Sequence, residues 1–301
     1  MSYTFAQMVD EVRANLSGYT LRQDRITNLA NAGGISTSAT SITVGSSSNL
    51  AKGIIEVDDE LIYIDSYDKT SNTLTVMPGF GRGYQHSTAT THAQYAPVVL
   101  APQFPRVNIK NAINDTINSF YPKLWSTATT TFTYNPAVST YELPATATDV
   151  LAISWQTIGP SKEWLPVRRW RFDQTANTTA FANGRTVSMY DLITAGRTVQ
   201  VTYKKYPVGL TNNNDEFTTV TGLPASTRDV VVLGAAYKLL SYVDAGRINL
   251  TSAEADAADT KIPPTAGSSA SKYIFALYQQ RLAEENVKLL TQYPTIPHYR
   301  R

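Results

Sequence analysis

The feature that most limits what this chain can fold into is its change of hydrophobic period, repeated along its length. Phe5, Met8, Val9, Val12 and Leu16 recur at helical spacing, and Gly18 follows as a stop. A second short helix is predicted over Asp24–Asn31, ended by Gly33-Gly34. Residues 35–100 then read as short strands between Ser, Gly and Asn turns: Ile42–Val44, Ile54–Val57, Leu61–Ile64, Leu74–Val76 and Val98–Leu100. Helical spacing returns at Ile109, Ala112, Ile113, Thr116, Ile117 and Phe120. Pro105 suits the first turn, and Tyr121-Pro122 ends the run.

From Thr129 to Thr221 the period is that of strands again, with Thr131–Tyr134, Val150–Thr157, Trp164–Val167, Thr186–Leu192 and Thr198–Tyr203 bounded by Pro, Gly or Asn. Ser226-Thr227-Arg228-Asp229 has the form of a capping box before an apolar helix, Val230–Val243. Ser252–Ser271 reads as a loop with room for a short helix, and Lys272–Gln292 as a last helix. Pro294 and Pro297 force an extended arm.

These segments predict an α+β fold. A helical bundle is assembled from N-terminal, central and C-terminal helices, and two β-modules are inserted into it. The expected parts are 1–33, 34–102 (β-module), 103–127 (central helix), 128–224 (second β-module), 225–292 and the arm 293–301. The helix over 230–243 is apolar nearly all round, so Val231, Leu239 and Tyr242 are expected to be covered by neighbouring copies.

The search for chemistry excludes more than it finds. The chain has no Cys, which removes disulfides, thiol catalysis and Cys-ligated zinc. Of three His, His86 and His92 lack the spacing and the Glu of a zinc helix, so both read as structural or exposed. Gly79-Phe80-Gly81-Arg82-Gly83 fits no phosphate-binding pattern and reads as a turn with positive φ. No metal, cofactor or catalytic residue is assigned. The N-terminus lacks the basic and apolar regions of a leader, and no apolar run nears the ~18 residues of a membrane span, so no membrane partner is expected.

Two charged clusters stand out. Glu56, Asp58, Asp59, Glu60, Asp65 and Asp68 lie close together with no Lys or Arg among them. Alternation places Glu56, Asp58 and Glu60 on one solvated strand face, with a subunit contact through Asp58 and Asp59 as the next reading and a metal or hydrolytic site behind it. Residues 162–205 are basic, with Arg168-Arg169-Trp170-Arg171 at the centre. They read as a basic outer surface or a salt-bridged interface, with nucleic-acid contact as the alternative. The net charge of the chain is only +2.

Six stretches together resemble a known family. Gly53–Asp65, Leu74–Tyr84 and Thr90–Val98 are similar to a small β-module of head–tail junction and tail proteins of tailed phages. Phe104–Pro122, with the core Ile-x-x-Ala-Ile-Asn-x-x-Ile at 109–117, resembles a helix of head-to-tail adaptors of siphoviruses, especially actinophages. Thr198–Pro207 and Ala235–Leu240 are similar to the same family. The resemblance implies a homo-oligomeric ring, usually twelvefold, in the virion neck below the portal, assembled in the host cytoplasm. It implies partners in the portal and a downstream neck or tail protein, with genomic DNA passing through the lumen in transient contact.

It also implies a helical bundle facing the portal, no catalysis, and a C-terminal arm against portal subunits; Tyr293, Ile296, His298, Tyr299, Arg300 and Arg301 are the residues expected there. Stopper, tail-terminator and glycan-binding tail proteins remain the alternatives. The β-module at 35–100 departs from the simplest adaptors.

Overall fold

The computed structural model describes residues 3–19, 24–159, 162–241 and 266–293. They form two compact units: Ala6–Thr116 with Val231–Leu277, and Ile117–Val230 with Met1–Phe5 and Tyr278–Arg301.

The first unit is built on a six-stranded antiparallel sheet in the order β1-β6-β3-β4-β5-β2. Its strands are β1 (Arg25–Asn28), β2 (Ser41–Thr43), β3 (Gly53–Val57), β4 (Glu60–Asp68), β5 (Thr73–Val76) and β6 (Pro97–Leu100). Ile42, Val44, Ile55, Val57, Ile62, Ile64, Leu74, Val76 and Val98 fill its core. A two-residue turn joins β3 to β4, with Asp58 in the left-handed region at φ 52°. Asp tolerates that conformation better than most residues.

Helix α1 (Phe5–Ser17) buries Phe5, Met8, Val9, Val12 and Leu16, the stripe its sequence predicts. Helix α2 (Arg106–Asn118) starts after Pro105, whose carbonyl accepts from the Ile109 amide. It buries Ile109, Ala112, Ile113, Thr116 and Ile117.

In the second unit, β7 (Ser126–Thr133), β9 (Asp149–Gln156), β10 (Trp164–Pro166) and β13 (Thr198–Lys205) form a sheet in the order β10-β9-β13-β7. The three-stranded partner, β11-β12-β8, comprises β8 (Thr140–Glu142), β11 (Trp170–Asp173) and β12 (Thr186–Met189). Inward residues of both sheets share one core: Val150, Ile153, Val199 and Val201 from the first sheet, Val187 and Met189 from the second. The arrangement is a small sandwich. Helix α3 (Phe217–Thr221) ends at Gly222, φ 71°, whose amide donates to the Thr218 carbonyl. Helices α4 (Arg228–Ser241) and α5 (Ala266–Gln292) complete the described elements.

The predicted helical bundle is overturned. Thirteen strands in three antiparallel sheets carry the architecture, and five helices of separate length accompany them among the described residues. An apolar stripe on a helix reports that one face is covered, not what covers it, and the stripes were assigned to other helices. Residues 24–31 are also not helical. Arg25–Asn28 forms the ladder Arg25↔Leu100 to Asn28↔Pro97, because β6 supplies partners that an isolated short helix lacks.

The capping box is not formed either. The Ser226 hydroxyl donates to Glu285 at 2.6 Å, and a single 3₁₀ turn, Ala225–Thr227, precedes α4. In α4, Val230, Val231, Val232, Ala235, Ala236, Leu239 and Leu240 are all buried within one chain. Val231 and Leu239, read from sequence as subunit contacts, are among these buried residues.

Candidate functional site

The acidic run is where the sequence concentrates its titratable groups, and the fold turns it inward. Strand alternation predicted a solvated face for Glu56 and Glu60. Their side chains are instead 2% and 0% exposed. The physical reason is that cations from distant parts of the chain meet them there, which offsets the cost of desolvating a carboxylate.

Glu60 opens β4 and has both oxygens saturated. Oε1 accepts from Arg82 Nε at 2.7 Å and the Gly83 amide at 2.9 Å. Oε2 accepts from Arg82 Nη2 at 2.8 Å, the Thr90 amide at 2.9 Å and His92 Nε2 at 2.9 Å. His92 Nδ1 reaches Asp58 at 2.7 Å, so both ring nitrogens face carboxylates. Arg82 also donates to the carbonyls of Ser36 and of Thr90.

Burial alone would raise the Glu60 pKa. The Arg82, His92 and backbone donors override it and hold the group near 2. Burial alone would likewise lower His92, and the Asp58 and Glu60 carboxylates lift it to about 9. His92 is thus a doubly protonated cation at neutral pH.

The Gly-rich stretch explains how Arg82 reaches this cluster. A Cβ at Gly81 would stand 2.4 Å from the Met77 carbonyl oxygen, and Gly83 has φ 62°. The glycines let the loop cross close over β4, where the Tyr63 amide donates to the Gly81 carbonyl at 2.7 Å. Arg82 then points inward while Phe80 is displayed outward, clustered with Tyr63 and Tyr84.

A second group lies at the same hairpin. Glu56 accepts from Arg13 Nη1 at 2.9 Å and from the Arg106 amide at 2.6 Å. Arg13 also pairs with Asp24 at 3.2 Å. Asp59 takes Arg106 Nε at 3.1 Å and Lys110 Nζ at 2.8 Å, and Arg106 further pairs with Asp10. These bonds tie α1 and the start of α2 to the β3–β4 hairpin. Burial pushes the Glu56 pKa up, against the Arg106 amide and the Arg13 charge. Of the remaining acids, Asp65 pairs with Lys52 at 2.9 Å and Asp68 caps the turn at Thr70 and Ser71.

A general acid needs a proton that moves near the working pH, and a general base needs a free lone pair facing a substrate. Glu60 has neither. No group of three or more His, Asp or Glu among the described residues is placed to hold a metal ion. The cluster is a set of structural ties.

The basic stretch behaves differently. Asp191 accepts from the Arg168 and Arg169 amides and pairs with Arg169 Nε at 3.0 Å, while the Arg169 side chain stays 72% exposed. Lys204 pairs with Asp149 at 3.0 Å and lies over the Trp125 ring. Lys162, Arg168 and Arg171 are exposed. Arg168 and Arg169 therefore sit together on the sandwich surface, and Asp58 and Asp59 belong to the network of the other unit.

His86 is exposed on a 3₁₀ turn, Tyr84–His86. Tyr293 closes the described part of the C-terminus. Tyr242, Ile296, His298, Tyr299, Arg300 and Arg301 lie outside the described residues.

Arg13, Arg82, His92 and Arg106 were not singled out from sequence as partners of the acidic run. The available signal was Glu56 and Glu60 set among Ile, Val and Leu with no local cation, which foretells cations from elsewhere.

Residues 89–287 match the family described as SU10 adaptor protein. The chain belongs to that family. The match begins just before His92 and runs through the sandwich into α5, so β1–β5 of the six-stranded sheet lie ahead of it. No curated protein sequence matches the chain. No helix among the described residues is long and apolar enough to cross a membrane.

Proposed function

We propose that this adaptor is a structural, non-enzymatic protein of a tailed-phage virion, located in the neck. In this reading copies of the chain form a ring, with twelve as the expected number, that joins the portal to a downstream neck or tail protein and lets genomic DNA pass through its lumen. Membership in the SU10 adaptor family over residues 89–287 carries the proposal. The chemistry of the acidic run supports it, since the carboxylates that hydrolysis would need are spent on Arg and His.

Charge supports the passage of DNA. A lumen that conducts DNA must not hold it, and each phosphate contact adds to affinity and to its salt dependence. The cations of residues 162–205 are partly neutralised by Asp149 and Asp191, and the chain as a whole carries +2. Weak, salt-sensitive DNA binding is expected in a gel-shift; tight, salt-resistant binding argues against a conducting channel.

The direct test is electron microscopy of the purified chain mixed with its portal protein. Rings seated on the portal are expected. A chain that stays monomeric and ignores the portal overturns the proposal.

A further inference from the structure

In the sandwich unit a cavity of about 190 Å³ opens beside the end of α5. Leu124, Leu223, Pro224 and Leu289 make its apolar wall, and Gln292 stands at the rim. The polar side chains there are occupied: Glu285 accepts from the Ser226 hydroxyl at 2.6 Å and from Lys288 at 2.5 Å. The cavity thus offers shape and apolar contact more than a spare charge. An apolar cavity of about 150 Å³ holds a benzene ring, so this one has room for one aromatic side chain.

The sequence supplies a candidate occupant at the rim itself. Gln292 is the last residue of α5, and Pro294-Thr295-Ile296-Pro297-His298-Tyr299-Arg300-Arg301 follow. Pro294 supplies no amide to continue the helix. Tyr299 lies six residue steps beyond Tyr293, about 19 Å if extended, which suffices to return over a cavity walled by Leu289 and Gln292. A tether this short gives an effective concentration on the order of millimolar, which favours the chain's own segment over a free competitor. The last turn of α5 carries no basic residue, so its terminal carbonyls have no cation of their own. Arg300 and Arg301 would supply it.

We infer that this cavity is the seat of the chain's own C-terminal segment, with the Tyr299 ring against Leu124, Leu223 and Leu289 and the two arginines at the carbonyl end of α5. The inference goes beyond the ring reading and does not depend on it. It gives the arm a resting place on its own protomer.

The test is photo-cross-linking of the dilute full-length chain with Tyr299→p-benzoylphenylalanine. Cross-links within one chain to Leu124 or to residues 223–227 are expected. Gln292→Trp, filling the cavity from its exposed rim, should lower that yield about tenfold with an unchanged melting temperature. In parallel, Tyr299→Ala should speed carboxypeptidase removal of the two terminal arginines. Cross-links elsewhere on the chain, only between chains, or only to the portal protein overturn the inference, as does a yield that Gln292→Trp leaves unchanged.

Discussion

The two β regions handle charge in opposite ways. The six-stranded sheet takes its carboxylates inside and pairs them with Arg13, Arg82, His92 and Arg106. The sandwich keeps an apolar and aromatic core, with Phe132 stacked on Tyr141 at 4.2 Å, and leaves its ion pairs at the surface. The difference follows from what each must hold. The sandwich closes through the side chains of two facing sheets. The six-stranded sheet must also fix loops that lie outside its strands: Gly81–Gly83 and Thr90–His92 converge on Glu60 from separate parts of the chain, and Ser36 is held through Arg82. Directional, charge-assisted bonds specify such a meeting where apolar contact would allow several. A dense charged run in sequence is therefore no guide to chemistry until its partners are known.

The sharpest way to break this comparison is to remove one side of the buried pair. Glu60→Ala leaves Arg82 and His92 uncompensated and should cost roughly 3–5 kcal/mol, seen as a large drop in the denaturant midpoint. A loss no bigger than that of a surface substitution would refute the structural role.

The same network should write itself into the pH profile. The pKa of Glu60 is lowered from 4.5 to about 2, so its contribution is complete above 4.5 and fades as pH falls toward 2. That of His92 is raised from 6.5 to about 9, so its contribution is complete below 6.5 and is lost as pH rises through 9. Stability from this site should peak between about 4.5 and 6.5. Unfolding titrations of His92→Gln should lack the alkaline decline of the unsubstituted chain; identical alkaline limbs would contradict the assignment.

Smaller effects follow. Glu56→Ala removes the acceptor for Arg13 and for the Arg106 amide, while Asp24, Asp59 and Asp10 still engage those arginines. It should cost about 1–3 kcal/mol and raise hydrogen exchange in α1 and at the start of α2. Arg169→Ala on the sandwich surface should cost under about 1 kcal/mol, because an exposed pair gains little over water. If Arg169→Ala proved as damaging as Glu60→Ala, the contrast between the two regions would fail.

Much of the secondary structure was legible. The stripes of α1 and α2 mark the residues that are buried, and the five strands predicted between 129 and 221 overlap β7, β9, β10, β12 and β13, with Thr131–Tyr134 at the end of a longer β7. The failures share one cause. Periodicity reports which side of an element is covered and is silent on the cover. Hence the stripes were joined into a bundle, and Arg25–Asn28 was read as helix although β6 pairs with it. Glu56 and Glu60 were placed in water because alternation treats a carboxylate as a polar face. Their cations come from 22 to 50 residues away. Gly53–Asp65, Leu74–Tyr84 and Thr90–Val98, read from sequence as parts of one β-module, contain Asp58, Glu60, Arg82 and His92, the four groups that lock the loops together.

The central claim is that this family member is built to join parts of a virion. A reconstruction of the neck of the assembled particle tests it most directly. The account predicts copies of this chain in a closed ring between portal and tail, around an open channel, with Glu60 still enclosed by Arg82 and His92. Finding the chain outside the neck, as an isolated copy with its carboxylates turned toward a bound glycan, would contradict it.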